Sequence, residues 1–136
     1  MGTTLKLEIV TPDGTAFSDQ VDMVTLPGSE GQLGVLPQHI PLLTQIVPGE
    51  IIVQKDGKNR LFAVGEGLVE ITGNQVAILT DMAVAAENID AAKVEEARQR
   101  AQERLREKLS NEEIANVHSA LARLMAELNV KRDYRK

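Results

Sequence analysis

Few side chains in this chain are equipped for chemistry. Histidine occurs only as His39 and His118, far apart in sequence. No His and carboxylate ligands fall at metal spacing. Cysteine is absent, which removes disulfides, zinc-thiolate sites and thiolate nucleophiles together. Ser29 stands beside Glu30 without a nearby base, and there is neither a Gly-x-Ser-x-Gly elbow nor a phosphate loop. His39, at a loop tip, reads as a surface or hydrogen-bonding histidine. The many carboxylates of the first part read as a solvated acidic face. The sequence therefore assigns no catalytic residue and no metal site.

Bulk properties narrow the field further. The chain has 136 residues, a net charge of -5 and only 2% aromatic residues. A nucleic-acid binder would need a basic face and stacking rings, so that class is set aside. No apolar run approaches the ~18 residues of a membrane span, and Met1 to Val10 lacks a basic segment ahead of an apolar one. The expectation is a soluble protein, or one held at a membrane only through partners. Charge is unevenly spread: residues 1–88 carry 4 Lys and Arg against 11 Asp and Glu, whereas residues 89–136 carry 11 against 9. That shift predicts two parts, 1–88 and 89–136.

The first part reads as short strands. Leu5, Leu7 and Ile9 alternate with Lys6 and Glu8, the period of a half-buried strand. Thr11-Pro12-Asp13-Gly14 is turn chemistry. Val21–Leu26, Ile51–Gln54, Arg60–Gly65, Leu68–Thr72 and Val76–Thr80 are further strands, and Lys55-Asp56-Gly57-Lys58 is a hairpin signal. Many short strands with turn residues between them predict an antiparallel β-sandwich or barrel. Glycines within Gly65-Glu66-Gly67 suggest a bulge or a close backbone approach.

One stretch interrupts this pattern. Pro27–Leu43 contains Gly28, Gly31, Gly34, Pro37 and Pro41. Gly28 and Gly31 read as turn positions, and Gln32–Leu36 as a short strand. Pro41 is expected to forbid a regular continuation, so Ile40, Leu42 and Leu43 form a rigid apolar loop leaving the sheet. The plainer alternative is a connection whose apolar residues plug one end of the sandwich.

The second part reads as two helices. From Asp90 onward there is no Gly and no Pro, and Ala, Glu, Arg and Leu dominate. Asp90 is the expected N-cap. Val94, Ala97, Ala101, Leu105 and Leu109 form one helical stripe. Ser110-Asn111-Glu112-Glu113 reads as a capping box, so one helix ends near Leu109 and a second starts at once. Ile114, Val117, Leu121, Leu124 and Leu128 are spaced as the seam of an antiparallel pair. The fold class is thus α+β: an N-terminal antiparallel β-sandwich followed by a C-terminal antiparallel two-helix hairpin. The stripes are narrow and rich in Ala, so the hairpin is marginal alone. It must lean on the sandwich, lean on another protein, or exchange between them.

The string Gly28-Ser29-Glu30-Gly31-Gln32-Leu33-Gly34-Val35-Leu36-Pro37, followed by His39, Pro41, Leu42 and Leu43, resembles the hallmark of the epsilon subunit of F-type ATP synthases. Val64-Gly65-Glu66-Gly67-Leu68-Val69-Glu70-Ile71 and the hairpin layout are similar to that family as well. The resemblance implies a non-catalytic subunit of the central stalk. Its sandwich would join the gamma subunit to the ring of c subunits through Glu30, Gln32, His39, Ile40 and Leu42. Gln32 is often Glu in relatives, so a charged contact there is lost. The hairpin would regulate ATP hydrolysis, either folded on the sandwich or extended toward the catalytic beta and alpha subunits. Arg98, Arg100, Arg104, Arg106, Lys108 and Arg123 are the cations that would then meet acidic segments. Several of them also have helical partners within reach, such as Glu96 and Glu103 for Arg100. The implied location is the cytoplasmic face of the bacterial plasma membrane.

Some members of that family bind ATP through an Ile/Leu-Asp-x-x-Arg-Ala motif. Here the string is Ile89-Asp90-Ala91-Ala92-Lys93-Val94. Asp90, Lys93, Arg100 and Arg123 are what remains of such a site. Lysine lacks the planar fork of arginine, Val94 replaces the motif's alanine, Val84 replaces an acidic residue, and Glu127 replaces an arginine. ATP binding is therefore expected to be weak or absent, and no other cofactor is expected. Two other classes fit parts of the chain: a β-sandwich ligand-binding or enzymatic domain with a helical dimerisation hairpin, and a coiled-coil adaptor.

Overall fold

Alternating side chains decide where the sheet closes. In β1 (Leu5–Thr11), Leu5, Leu7 and Ile9 are fully buried while Glu8 is exposed. The strand therefore has one dry and one wet face. The structure, a computed structural model, describes residues 4–135. After β1 come β2 (Gly14–Val21), β3 (Met23–Gly28), β4 (Gly31–Val35), β5 (His39–Ile46), β6 (Gly49–Lys55), β7 (Lys58–Val64), β8 (Gly67–Gly73), β9 (Gln75–Thr80) and β10 (Ala83–Ala85). A 3₁₀ turn (Ala86–Asn88) leads into α1 (Ala91–Arg104) and α2 (Asn111–Tyr134).

The strands run in the order β10-β7-β6-β3-β5-β8-β9-β1-β2, with β4 attached to β3. β3 and β5 meet only at Gly28 opposite Ile46, and there the path turns from one layer of the sandwich to the other. Leu7, Ile9, Leu26, Phe62, Ile71 and Ile78 fill the space between the layers. The β6–β7 turn places Asp56 at φ 53° and Gly57 at φ 76°, the left-handed pair that a tight hairpin needs. The predicted α+β class, sandwich then hairpin, is what the chain adopts.

Several details depart from the sequence reading. β2 was not expected, and neither was β10. β1 and β9 pair in parallel, while the other paired strands are antiparallel. Pro41 does not send the chain out of the sheet. Ile40, Leu42 and Leu43 belong to β5, which pairs with β8, and the register slips between His39 and Leu42. That irregularity accommodates a proline, whose missing N–H the ladder does not require there. Finally, α1 stops at Arg104 rather than near Leu109. The amides of Leu105, Arg106 and Glu107 bond three residues back, the tightened pattern with which helices end.

The hairpin lies folded against the sandwich. α2 packs on β6, β7 and the 3₁₀ turn. A second apolar cluster joins Ala63, Ala86, Ile89, Val94 and Val130, with Leu124 and Leu128 packed against it. Leu124 and Leu128 thus serve this junction as well as the expected helix seam. Val130 and Ala126, outside the expected seam, are the most deeply buried residues of α2. Lys131 Nζ donates to the carbonyl of Ala86 at 3.1 Å, tying the end of α2 to the start of the linker.

Phe62 anchors the sandwich core. It meets Phe17 edge-on at 5.3 Å between ring centroids, and the Arg60 guanidinium sits 5.0 Å from its own ring centroid. Phe62→Ala is expected to destabilise the fold by about 3–5 kcal/mol. A lowered urea midpoint with an unchanged m-value would show it.

Candidate functional site

The candidate contact residues lie where local backbone geometry is most constrained. β3 and β4 form a hairpin with Gly28 opposite Gly31 and Ser29 and Glu30 at its exposed tip. Gly31 holds φ +120°, which side chains rarely adopt, and a Cβ on Gly28 would come 2.8 Å from the Gly31 carbonyl oxygen. The tip is therefore a tight two-residue turn that requires glycine on both sides. Glu30, Gln32 and Leu42 line one cleft of about 290 Å³ beside it, together with Leu33 and Thr44. The structure brings these three predicted contact residues together.

His39 and Ile40 sit apart from that cleft, at the start of β5. His39 pairs with Gly73 of β8, and its Nδ1 lies 2.6 Å from the Ile40 carbonyl oxygen. The preceding residue, Gln38, has φ 66°, and its amide donates to Asn74 Oδ1 at 2.7 Å. This cross-link between two turns was not legible in the sequence. Ile40 and Leu43 are 79% and 67% exposed. The apolar segment neither leaves the sheet nor plugs the sandwich; it presents Ile40 and Leu43 to solvent from a strand.

The hairpin cations divide into held and free. Arg98 forks onto Glu95, with Nε 3.0 Å from Oε2. This pairing holds the Glu95 carboxyl below its ordinary range and the guanidinium above its own. Arg104 reaches Glu113 of α2 at 3.3 Å. Glu113 is already depressed by the Ser110 amide, which donates to it within the predicted capping box. Arg123 faces Asp81 at 3.6 Å. Arg100, Arg106 and Lys108 have no ion-pair partner among the described residues. The expected pairing of Arg100 with Glu96 or Glu103 is not formed; the pairs are Glu95 with Arg98 and Arg104 with Glu113.

The residues of the nucleotide expectation are engaged separately. Asp90 caps α1 by accepting from the Lys93 amide at 3.2 Å. Lys93 and Arg100 are exposed, and Arg123 is held by Asp81. Val94 is buried and Val84 packs against the same apolar cluster. Glu127 is half-buried, and burial pushes its carboxyl up. Asp81 was missed from the sequence: it lies beside Gly65, whose missing side chain leaves room for it and for Arg123. No group of three or more potential metal ligands gathers among the described residues, and no helix of the described chain is long and apolar enough to cross a membrane.

The chain matches family models of the ATP synthase delta/epsilon chain, the β-sandwich domain over residues 4–86 and the long α-helix domain over 87–132. It belongs to the ATP synthase epsilon-chain family. An ATP synthase epsilon chain of Herpetosiphon aurantiacus is 40% identical over 126 residues, 93% of each chain. One from Pelotomaculum thermopropionicum is 46% identical over 105 residues, covering 77% of this chain and 78% of the relative. One from Methylococcus capsulatus is 36% identical over 137 residues, covering 100% and 98%. Among solved structures, a chain of the Euglena gracilis mitochondrial ATP synthase, determined with its c-ring, superposes with a TM-score of 0.79 at 24% identity, covering 93% of this chain and 80% of that one. A chain from the central stalk and c-ring of the Tetrahymena thermophila mitochondrial enzyme gives 0.63 at 15% identity, covering 97% and 96%. These two likenesses carry the fold.

In this family member the tip hairpin depends on its glycines. Gly31→Ala is expected to cost about 1–3 kcal/mol, because alanine at φ +120° is strained. Equilibrium unfolding in urea, compared with Ser29→Ala at the same tip, would measure the difference.

Proposed function

We propose that this epsilon chain is a non-catalytic subunit of the central stalk of a proton-translocating ATP synthase. The sandwich joins the gamma subunit to the c-ring, with Glu30, Gln32 and Leu42 at the tip cleft and His39 and Ile40 on the neighbouring strand. The observation that carries this reading is the exposed apolar segment of β5: Ile40 and Leu43 are the two most exposed large apolar residues described, Ile40 within the register slip of the strand and Leu43 just beyond it. An apolar strand face of this kind is expected to be covered by another protein. The neighbouring solved chains belong to central-stalk and c-ring assemblies, which supports the same partners here.

The hairpin, residues 89–136, is the regulatory part. Lys136 of its basic tail lies outside the described residues. Folded down, Arg123 and Arg104 are occupied by Asp81 and Glu113. Extension would release Arg123 from Asp81 and carry Arg98, Arg100, Arg104, Arg106 and Lys108 toward acidic segments of the catalytic beta and alpha subunits. An extended hairpin obstructs the rotation that hydrolysis requires, so the mechanism is mechanical. ATP binds weakly or not at all, and no cofactor takes part. Val84 and Val94 at an apolar junction, and the separate engagement of Asp90 and Arg123, support that reading. Attachment to the cytoplasmic face of the bacterial plasma membrane is through partners alone.

The test is ATP hydrolysis by a reconstituted alpha, beta and gamma core. The full chain is expected to bind and inhibit, and a chain cut after Asn88 to bind without inhibiting. If neither binds the core, the stalk assignment falls. If the cut chain inhibits equally, the hairpin is not the regulator.

A further inference from the structure

Where the end of α2 meets β6, two carboxyl groups face each other. Glu50 of β6 is half-buried, and its Oε2 is buried without a hydrogen-bond donor, the one such side-chain atom among the described residues. Asp133, on the last turn of α2, lines the same cleft, and its carboxyl acts on that of Glu50. Both groups are acceptors when ionised, so the contact has no donor unless one of them carries a proton. A cleft of about 480 Å³ surrounds them, lined also by Ile52, Asn59, Leu61 and Tyr134.

The other elements around this pair do not neutralise it. From α2, Arg132 is the only other charged residue acting on Glu50, pulling its carboxyl down. It is largely exposed and lies 3.5 Å from Asp133. Lys131 turns aside to the Ala86 carbonyl and to the Tyr134 ring. From β7, Asn59 and Leu61 are uncharged, and Arg60 is held by Glu87 of the 3₁₀ turn at 3.0 Å. β3 contains no charged residue. β2 meets β6 at its far end, where Asp19 and Lys55 hold each other at 2.6 Å.

We propose that Glu50 and Asp133 form a proton-operated latch that fastens the end of α2 to the sandwich. The inference rests on the reading that the hairpin leaves the sandwich, and it names what biases that step. Burial first, and Asp133 second, push the Glu50 carboxyl from its ordinary 4.5 up to about 7. The sign follows from linkage. Docking takes up a proton, so the latch holds fully below the ordinary carboxylate range and is lost as pH rises from 4.5 toward 7. Glu127, also pushed up by burial on the same helix, acts in the same direction. Acidification therefore stores the hairpin on the sandwich, and a rise in pH frees it. After discounting for partial exposure, the opening equilibrium is expected to rise about tenfold between roughly pH 5.5 and 7.5.

Hydrogen exchange on the full chain reads this directly. Amides of α2, corrected for the intrinsic base-catalysed rate, report the opening equilibrium, and amides of β8 and β9 serve as the internal reference. The expected result is an approximately tenfold loss of α2 protection across that range, absent from β8 and β9. Glu50→Gln and Asp133→Asn should each flatten the slope and keep α2 protected at the higher pH, since an amide supplies the missing donor. An unchanged slope in both variants overturns the latch. Val130→Asp separates the two readings: it should expose α2 at every pH while the strands stay protected. If α2 and the strands exchange together even there, the hairpin does not open as a unit, and the mobile-hairpin reading falls with the latch. If Val130→Asp frees α2 but the parent chain shows no pH slope, only the latch falls.

Discussion

The attachment of the hairpin depends on one apolar junction, where Val130 of α2, Val94 of α1 and Ile89 of the linker close over Ala63 and Ala86. The two alanines matter because they are small. They let a helix approach β7 and the 3₁₀ turn closely enough to bury Val130 completely. Burying a few aliphatic side chains contributes about 1.5–3 kcal/mol each. Ordering two largely exposed helices opposes that gain, and α1, at 14 residues, is of a length that is marginal alone in water. The docked hairpin is thus held by a margin far smaller than the one that holds the sandwich core.

The sandwich is stiff for a different reason. Its core residues belong to strands whose backbone groups are committed to ladders, and its exposed corner is fixed by conformation rather than by burial. Gly31 and Gln38 hold positive φ values, and the Gln38 amide is bonded to Asn74. A corner built this way can present Glu30, Gln32, Ile40 and Leu43 without being rearranged by whatever covers it. A firm corner and a marginally docked hairpin are what the proposed division into a stalk contact and a movable hairpin would require.

Much of this was legible from spacing alone. β1, β6, β7, β8 and β9 follow from alternation, the Asp56-Gly57 turn from its residue types, and the Asp90 and Ser110 caps from helix-start chemistry. β2 was lost because only Phe17 and Val21 carry its apolar face, too few to stand out along Gly14–Val21. β5 was misjudged because Pro41 normally ends a strand, and no sequence signal announces the register slip that tolerates it. The parallel pairing of β1 with β9 joins segments some 70 residues apart, and residue type does not encode such a meeting. The end of α1 was placed too far on, since Leu105 and Leu109 keep the helical stripe although the backbone has already tightened.

The site was legible in part, and the division has a physical cause. Residues that stand exposed and are proposed as contacts, such as Glu30, Ile40 and Arg100, announce themselves by type and by family pattern. Residues whose role arises from a tertiary meeting do not. Asp81 gains meaning only when Gly65 makes room for it beside Arg123, and Glu50 only when α2 brings Asp133 to β6. Both meetings occur on the surface that the hairpin covers. The docked state therefore contains two electrostatic contacts of opposite character, one attractive at Arg123 and one short of a donor at Glu50. The attractive contact is exposed, so solvent screens it and limits its worth to about 1 kcal/mol or less. The carboxyl pair is partly desolvated, so its response to protonation is the larger lever on the equilibrium. A junction that is marginal in apolar terms is therefore one that a single proton can bias.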